Sequence, residues 1–199
     1  MMLEVKQSEF DRCVSFHGHI CPGLAIGFVA ATEAMKRLKE SRSEDEEIVA
    51  IVETNSCAVD AIQVITGCTF GKGNLLHRDH GKTVFTFLVR DTGRGLRFSV
   101  RPFAQSMDES HWALFQKVIQ AKATQEEKSS FGEAHSRRAL EVLQQPAEKL
   151  FLIEEVAVPL PEKARIEPSE PCDRCGEPTM RTKLIPQGEL KLCRDCLER

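Results

Sequence analysis

His17, His19 and Cys21 alternate within His17-Gly18-His19-Ile20-Cys21-Pro22-Gly23, and Cys57 follows an apolar run in Asn55-Ser56-Cys57. Imidazole and thiolate are borderline-soft donors that suit zinc, iron, nickel or cobalt. In an extended segment, alternation by two turns all three N-terminal side chains to one side. Pro22-Gly23 then bends the chain into a helix, which sets Cys21 at a helix N-terminus, where a thiolate is stabilised. Cys57 has the same setting ahead of Ala58 to Thr66, with Asn55 or Ser56 as a cap. If the two helix starts lie side by side, these donors converge on one ion, and an open coordination position would let that ion act as a Lewis acid. Asp60, one turn after Cys57, is placed to orient a histidine. Cys57, Cys21, His19 and Asp60 are therefore the catalytic candidates, and His17, His19, Cys21 and Cys57 the core metal candidates.

Four further cysteines form Cys172-x-x-Cys175 and Cys193-x-x-Cys196 near the end of the chain. Four thiolates make a closed tetrahedral shell with no position left for substrate, the mark of structural zinc. Gly176 permits the tight turn of a knuckle. Pro186-Gln187-Gly188-Glu189 predicts a hairpin, and Cys193 onward a short helix. Together these resemble a treble-clef finger. Its acidic and basic residues nearly cancel, so it fits a protein partner better than nucleic acid.

Cys13 and Cys68 read as small buried hydrophobes, and His77 and His80 serve equally as ligands or as loop residues. Gly71-Lys72-Gly73 lacks the spacing and the following Ser/Thr of a phosphate loop. Lys72 is kept as a candidate for holding an anionic ligand near the cluster.

The 199 residues, 41% hydrophobic and 29% charged with a formal net charge of -3, describe a globular chain with no general basic field for nucleic acid. No stretch is long and apolar enough for a bilayer, and the opening residues lack an export pattern. A cytoplasmic protein is expected, with cysteines serving as ligands rather than as disulfides. After a short amphipathic opening, helices are predicted over 22–39, 58–66, 110–123 and 130–144. Strands are predicted over 48–52, 83–90, 96–101 and 151–158, with a glycine-rich loop over 67–74. This order predicts an α+β core over 1–158 with a mixed sheet and flanking helices, a proline-rich linker over 159–170, and a zinc finger over 171–199.

His17-Gly-His19-x-Cys21-Pro22-Gly23, Asn55-Ser-Cys57-x-x-Asp60 and Gly67-Cys68-Thr69-x-Gly71-Lys72-Gly73-Asn74-Leu75, followed by the cysteine finger, resemble the formylmethanofuran dehydrogenase E-subunit family almost end to end. The resemblance implies a thioredoxin-like α+β core, an intertwined homodimer, an accessory treble-clef finger, and a cleft where the His and Cys motifs meet, often with a metal ion. It also implies a link to the one-carbon metabolism of methanogenesis, in which the one-carbon chemistry belongs to other subunits carrying a molybdopterin cofactor. The leading expectation is a dimeric metalloprotein with structural zinc in the finger and a second transition metal (Zn, Ni or Fe) in the core, acting as a metal-dependent enzyme or an accessory subunit. The alternatives are an adaptor acting through its finger and a thiol redox enzyme using Cys21 and Cys57. The absence of a Cys-x-x-Cys in the core speaks against the last.

Overall fold

The computed structural model describes residues 2–105 and 107–199. Its first helix, α1 (Met2–His17), runs into the first histidine of the cluster, where the sequence reading has only a short amphipathic opening. Phe10, Cys13 and Val14 recur at helical spacing and pack into the core. Phe10 meets Phe28 edge to face, with ring centroids 5.2 Å apart. The helix stops at Gly18, whose φ of 96° is open to glycine at no steric cost, and whose N–H returns to the Val14 carbonyl at 2.7 Å.

The second helix, α2 (Pro22–Leu38), has proline in its first turn and a left-handed Lys39 at its end. Buried positions occur nearly all round it, from Leu24, Ala25 and Ile26 to Ala34, Met35 and Leu38. It is the central rod of the core, packed against the helix before it, three of the helices after it and one face of the sheet. Next come β1 (Ile48–Val52) and α3 (Ala58–Thr66), both with the predicted bounds. The glycine-rich loop then delivers β2 (Leu75–His77), a short strand the sequence reading lacks, which pairs parallel to β1. The predicted hairpin is present as β3 (Val84–Val89) and β4 (Gly95–Val100).

Helices α4 (Glu109–Ile119) and α5 (Gln125–Leu143) differ from the predicted 110–123 and 130–144 because Thr124 starts α5 early. Its side chain and that of Glu127 form a reciprocal capping box. A one-turn helix, α6 (Ala147–Leu150), follows Pro146 and feeds β5 (Phe151–Val156). The sheet order is β2-β1-β3-β4-β5, parallel only between β1 and β2. This is the mixed α+β core expected from the sequence.

The sheet is covered on both faces. Ala50, Val52, Phe85, Phe87 and Phe98 belong to the main core, whereas Val49, Ile51 and Leu88 form a second cluster with Leu160. Arg90 pins the chain over that second face. Its guanidinium donates to the Glu46 carboxylate at 2.9 Å and to the Pro161 carbonyl at 2.7 Å. The segment after β5 thus begins as part of the core, and the first compact unit extends to Lys163.

The second unit, Ala164–Arg199, holds two small hairpins, β6 (Ser169–Pro171) with β7 (Pro178–Met180) and β8 (Ile185–Gln187) with β9 (Leu190–Leu192). A closing helix, α7 (Arg194–Glu198), completes it. Its buried apolar cluster consists of Cys172, Leu192 and Cys196 with partly buried neighbours, too small a core to hold such a fold by itself.

Candidate metal centre and the pocket beside it

Two glycines bring α2 and α3 together. A Cβ on Gly27 would lie 2.1 Å from the Ala58 carbonyl oxygen, and one on Gly23 would lie 3.2 Å from Cys57 Cβ. Hydrogen at Gly27, and close but tolerable space at Gly23, allow the start of α3 to rest against the first turns of α2, and so Cys57 to reach Cys21. Cys21 is the N-cap of α2, and its sulfur accepts the Leu24 N–H at 3.4 Å. Cys57 is the N-cap of α3 and makes no capping bond with its side chain. The expected cap from Asn55 or Ser56 is not found, because Cys57 is already helical in φ and ψ and Ser56 offers its carbonyl, not its hydroxyl, to the helix.

Nor is the segment His17–Cys21 extended throughout, as its alternation suggests. His17 belongs to α1, and the left-handed Gly18 reverses the chain so that the rings of His17 and His19 face one another with centroids 4.3 Å apart. The donors still converge. One ligand atom each from His17, His19, Cys21 and Cys57 lies within 4.8 Å of all the others.

The donor set can be tested against an ion. His17 Nε2 is 3.7 Å from Cys21 Sγ, near the roughly 3.6 Å that separates nitrogen and sulfur on a tetrahedral zinc. His17 Nδ1 lies 2.7 Å from Asp60 Oδ2. That bond puts the ring proton on Nδ1 and leaves the Nε2 lone pair facing the other donors, the carboxylate–histidine arrangement found behind metal ligands. Burial, only partly offset by the Leu24 N–H, pushes the Cys21 thiol up to about 11. At neutral pH this sulfur therefore holds its proton until a cation displaces it. Cys13 and Cys68, also pushed up to about 11 by burial, join no such donor cluster among the described residues and fill the core.

A cavity of about 440 Å³ opens beside the cluster, lined by His17, Cys57 and Asp60 together with Val52, Val59, Leu75, Phe70 and His77. Phe70 is 85% exposed at its rim. The sequence reading misses Phe70 and leaves His77 undecided, because β2, which carries His77 to the pocket, is too short to show a pattern. His80 instead pairs with Glu53, Nδ1 to Oε2 at 3.0 Å. Lys72 is placed otherwise than expected. Its ammonium donates to the Ser43 and Glu44 carbonyls, each at 3.2 Å, and it does not line this cavity. His135 of α5 lies nearby, its protonation disfavoured by burial, by His111 and by His19.

In the second unit the sulfurs of Cys172, Cys175, Cys193 and Cys196 lie within 4.8 Å of one another. Cys175 and Cys193 are 3.9 Å apart, against about 3.8 Å for two sulfurs on zinc. Backbone N–H groups of Cys175 and Cys193 draw the Cys172 thiol down to about 6, whereas burial and the neighbouring thiols push Cys196 up to about 12. Four sulfurs this close cannot all ionise without a cation between them, and the set fits zinc.

Among the described residues, no helix is long and apolar enough to cross a membrane. A probable S-adenosyl-L-methionine-binding protein of Archaeoglobus fulgidus is 34% identical over 180 residues, covering 87% of this chain and 49% of that protein. The chain thus spans about half the length of that curated relative. The crystal structure of a tungsten formylmethanofuran dehydrogenase E-subunit (FmdE)-like protein from Syntrophus aciditrophicus matches with a TM-score of 0.60 at 24% identity, over 96% of this chain and 91% of that one, and so shares the fold. A family model described as FmdE, molybdenum formylmethanofuran dehydrogenase operon, matches residues 16–152, a span that contains both helix starts and all four core donors. This chain belongs to the FmdE family.

Proposed function

We propose that the core of this FmdE-family protein holds one transition-metal ion through His17, His19, Cys21 and Cys57. In this reading Asp60 orients His17, and a small ligand enters the cavity on the His17 and Cys57 side. The observation that carries it is the convergence of four nitrogen and sulfur donors from three separate elements within 4.8 Å. A zinc, nickel or iron ion bound there would supply Lewis acidity. The chain's own share is to fix the His17 tautomer through Asp60, to hold the Cys21 sulfur with the Leu24 N–H, and to offer an apolar wall of Val52, Val59 and Leu75 to the ligand.

The finger has a structural task in this proposal. Its knuckle, hairpin and helix are the parts of a treble clef, and zinc there folds the unit. Docking of the finger on another protein, homodimerisation, and an accessory place in a formylmethanofuran dehydrogenase-like assembly belong to the same reading. The name of the Archaeoglobus relative makes S-adenosyl-L-methionine the first small molecule to titrate.

Elemental analysis of protein purified without added metal tests the proposal. Two metal ions per chain are expected. Cys21→Ser with Cys57→Ser should lose one and keep zinc, and Cys172→Ser with Cys193→Ser should lose the zinc. An unchanged metal content in the Cys21/Cys57 variant overturns the core site.

A further inference from the structure

Among the described residues the cavity beside the metal centre is lined by no lysine or arginine, whereas a second groove close to it has two. This groove, of about 410 Å³, is lined by Arg12, Ser15, Phe16, Arg42, Gln63, Val64 and Thr69. No described residue lines both depressions, but their linings are adjacent along the chain and along α3. Phe16 and His17 are neighbours in sequence, as are Thr69 and Phe70, with the first of each pair in the groove and the second in the cavity. Gln63 of the groove lies one helical turn from Asp60 of the cavity, its Nε2 3.5 Å from Asp60 Oδ1.

Neither arginine has a carboxylate at ion-pair distance among the described residues. Arg42 uses Nε on the Val64 carbonyl at 3.0 Å, which orients its guanidinium, and its terminal amino groups have no hydrogen-bond partner among the described residues. Glu9 and Glu40 line a further depression together with the same two arginines, at no ion-pair distance from either among the described residues. Two exposed guanidinium groups line one groove, and an external anion there would gain from both. The Ser15 and Thr69 hydroxyls and the Gln63 amide add neutral donors. A phosphoryl group, with three peripheral oxygens, uses more of these donors than a carboxylate does.

We propose that the groove of Arg12, Ser15, Phe16, Arg42, Gln63 and Thr69 binds the phosphoryl group of a ligand whose uncharged part enters the cavity beside His17 and Cys57. The second half of this inference rests on the proposed function of the cavity; the anion site itself does not. The ligand class is thus a phosphorylated molecule with an apolar or aromatic body.

The test is titration of the full chain with inorganic pyrophosphate and with phenyl phosphate, followed by calorimetry and by methyl resonances of Val64 in the groove and Val59 in the cavity. Saturable binding of pyrophosphate at one site is expected, shifting Val64. Phenyl phosphate should also shift Val59. Arg12→Gln with Arg42→Gln should weaken both at least tenfold, and Cys57→Ser should leave pyrophosphate affinity unchanged even where it abolishes core metal. Since Arg42 also supports the Val64 carbonyl, Arg12→Gln alone, at a side chain with no ion-pair partner to lose among the described residues, should weaken pyrophosphate at least threefold. Absence of saturable pyrophosphate binding, equal affinity in the Arg12→Gln variant, or equally tight binding of succinate overturns the phosphoryl site. Pyrophosphate binding with no Val59 shift from phenyl phosphate overturns the link to the cavity.

Discussion

Replacing Gly27 with alanine tests how the metal centre is assembled. The new Cβ would sit 2.1 Å from the Ala58 carbonyl oxygen and 2.7 Å from the Ala58 Cα and carbonyl carbon, all backbone atoms with no rotamer to yield. Real Cβ contacts stay above 3.0 Å, so the start of α3 must retreat by about 1 Å, against a tolerance of about 0.2 Å in metal–ligand distance. Overpacking of this kind costs about 1–3 kcal/mol. The helix preference for alanine over glycine returns about 0.5–1 kcal/mol. The net loss, about 0–2.5 kcal/mol, corresponds to a fall of up to about 10 °C in Tm for a chain of this size. Gly132, in α5 with nothing within 4 Å of where its Cβ would lie, supplies the control. Gly132→Ala should be neutral or raise stability by up to about 1 kcal/mol. The assay is thermal unfolding of metal-free protein, with competition titration of the core metal against a chelator. Gly27→Ala should weaken core metal at least tenfold and leave the finger zinc untouched. If Gly27→Ala matches Gly132→Ala in both Tm and core affinity, close packing of α2 on α3 does not set the donor geometry.

Asp60→Asn should weaken the core metal about 10–100-fold while keeping the fold, because it removes the charge that orients His17; chelator competition measures it. Glu47 accepts from the Ser43 hydroxyl and from the Asp45 and Glu47 N–H groups, and its carboxyl is drawn from 4.5 down to about 2. Since the folded-state value is depressed, the stabilisation is complete above pH 4.5 and is lost as the pH falls toward 2. A carbon-detected NMR titration should show a midpoint near 2, and Glu47→Gln should flatten the pH dependence of stability over that window. The Arg90–Glu46 pair is buried on both sides, so Arg90→Ala should cost about 3–5 kcal/mol in urea unfolding, while Arg90→Met with Glu46→Leu should recover most of it.

How much of this is legible in the sequence differs from element to element. β1 and α3 match their predicted bounds because a β-branched run and a helical apolar repeat are strong local signals. The Thr124 and Glu127 capping box also lies in the sequence, as Thr-x-x-Glu, and is the available signal for the true start of α5. Helix α1 escapes the sequence reading because its apolar positions are interrupted by charged residues, and it is held by tertiary contacts such as Phe10 on Phe28. The donors of the core site can be named from residue type alone. Their convergence depends on Gly27 and on the left-handed Gly18, neither of which announces its partner in one dimension. Lys72 reads as a ligand residue because it stands in a glycine-rich loop. In the fold it ties that loop to the Ser43 and Glu44 carbonyls.

The most direct measurement is anomalous diffraction at the metal edges from crystals grown without added metal. One peak is expected among the four finger sulfurs and a second within about 2.0–2.4 Å of His17 Nε2, Cys21 Sγ, Cys57 Sγ and a His19 nitrogen. A clear finger peak with no peak among the four core donors contradicts the proposed core site.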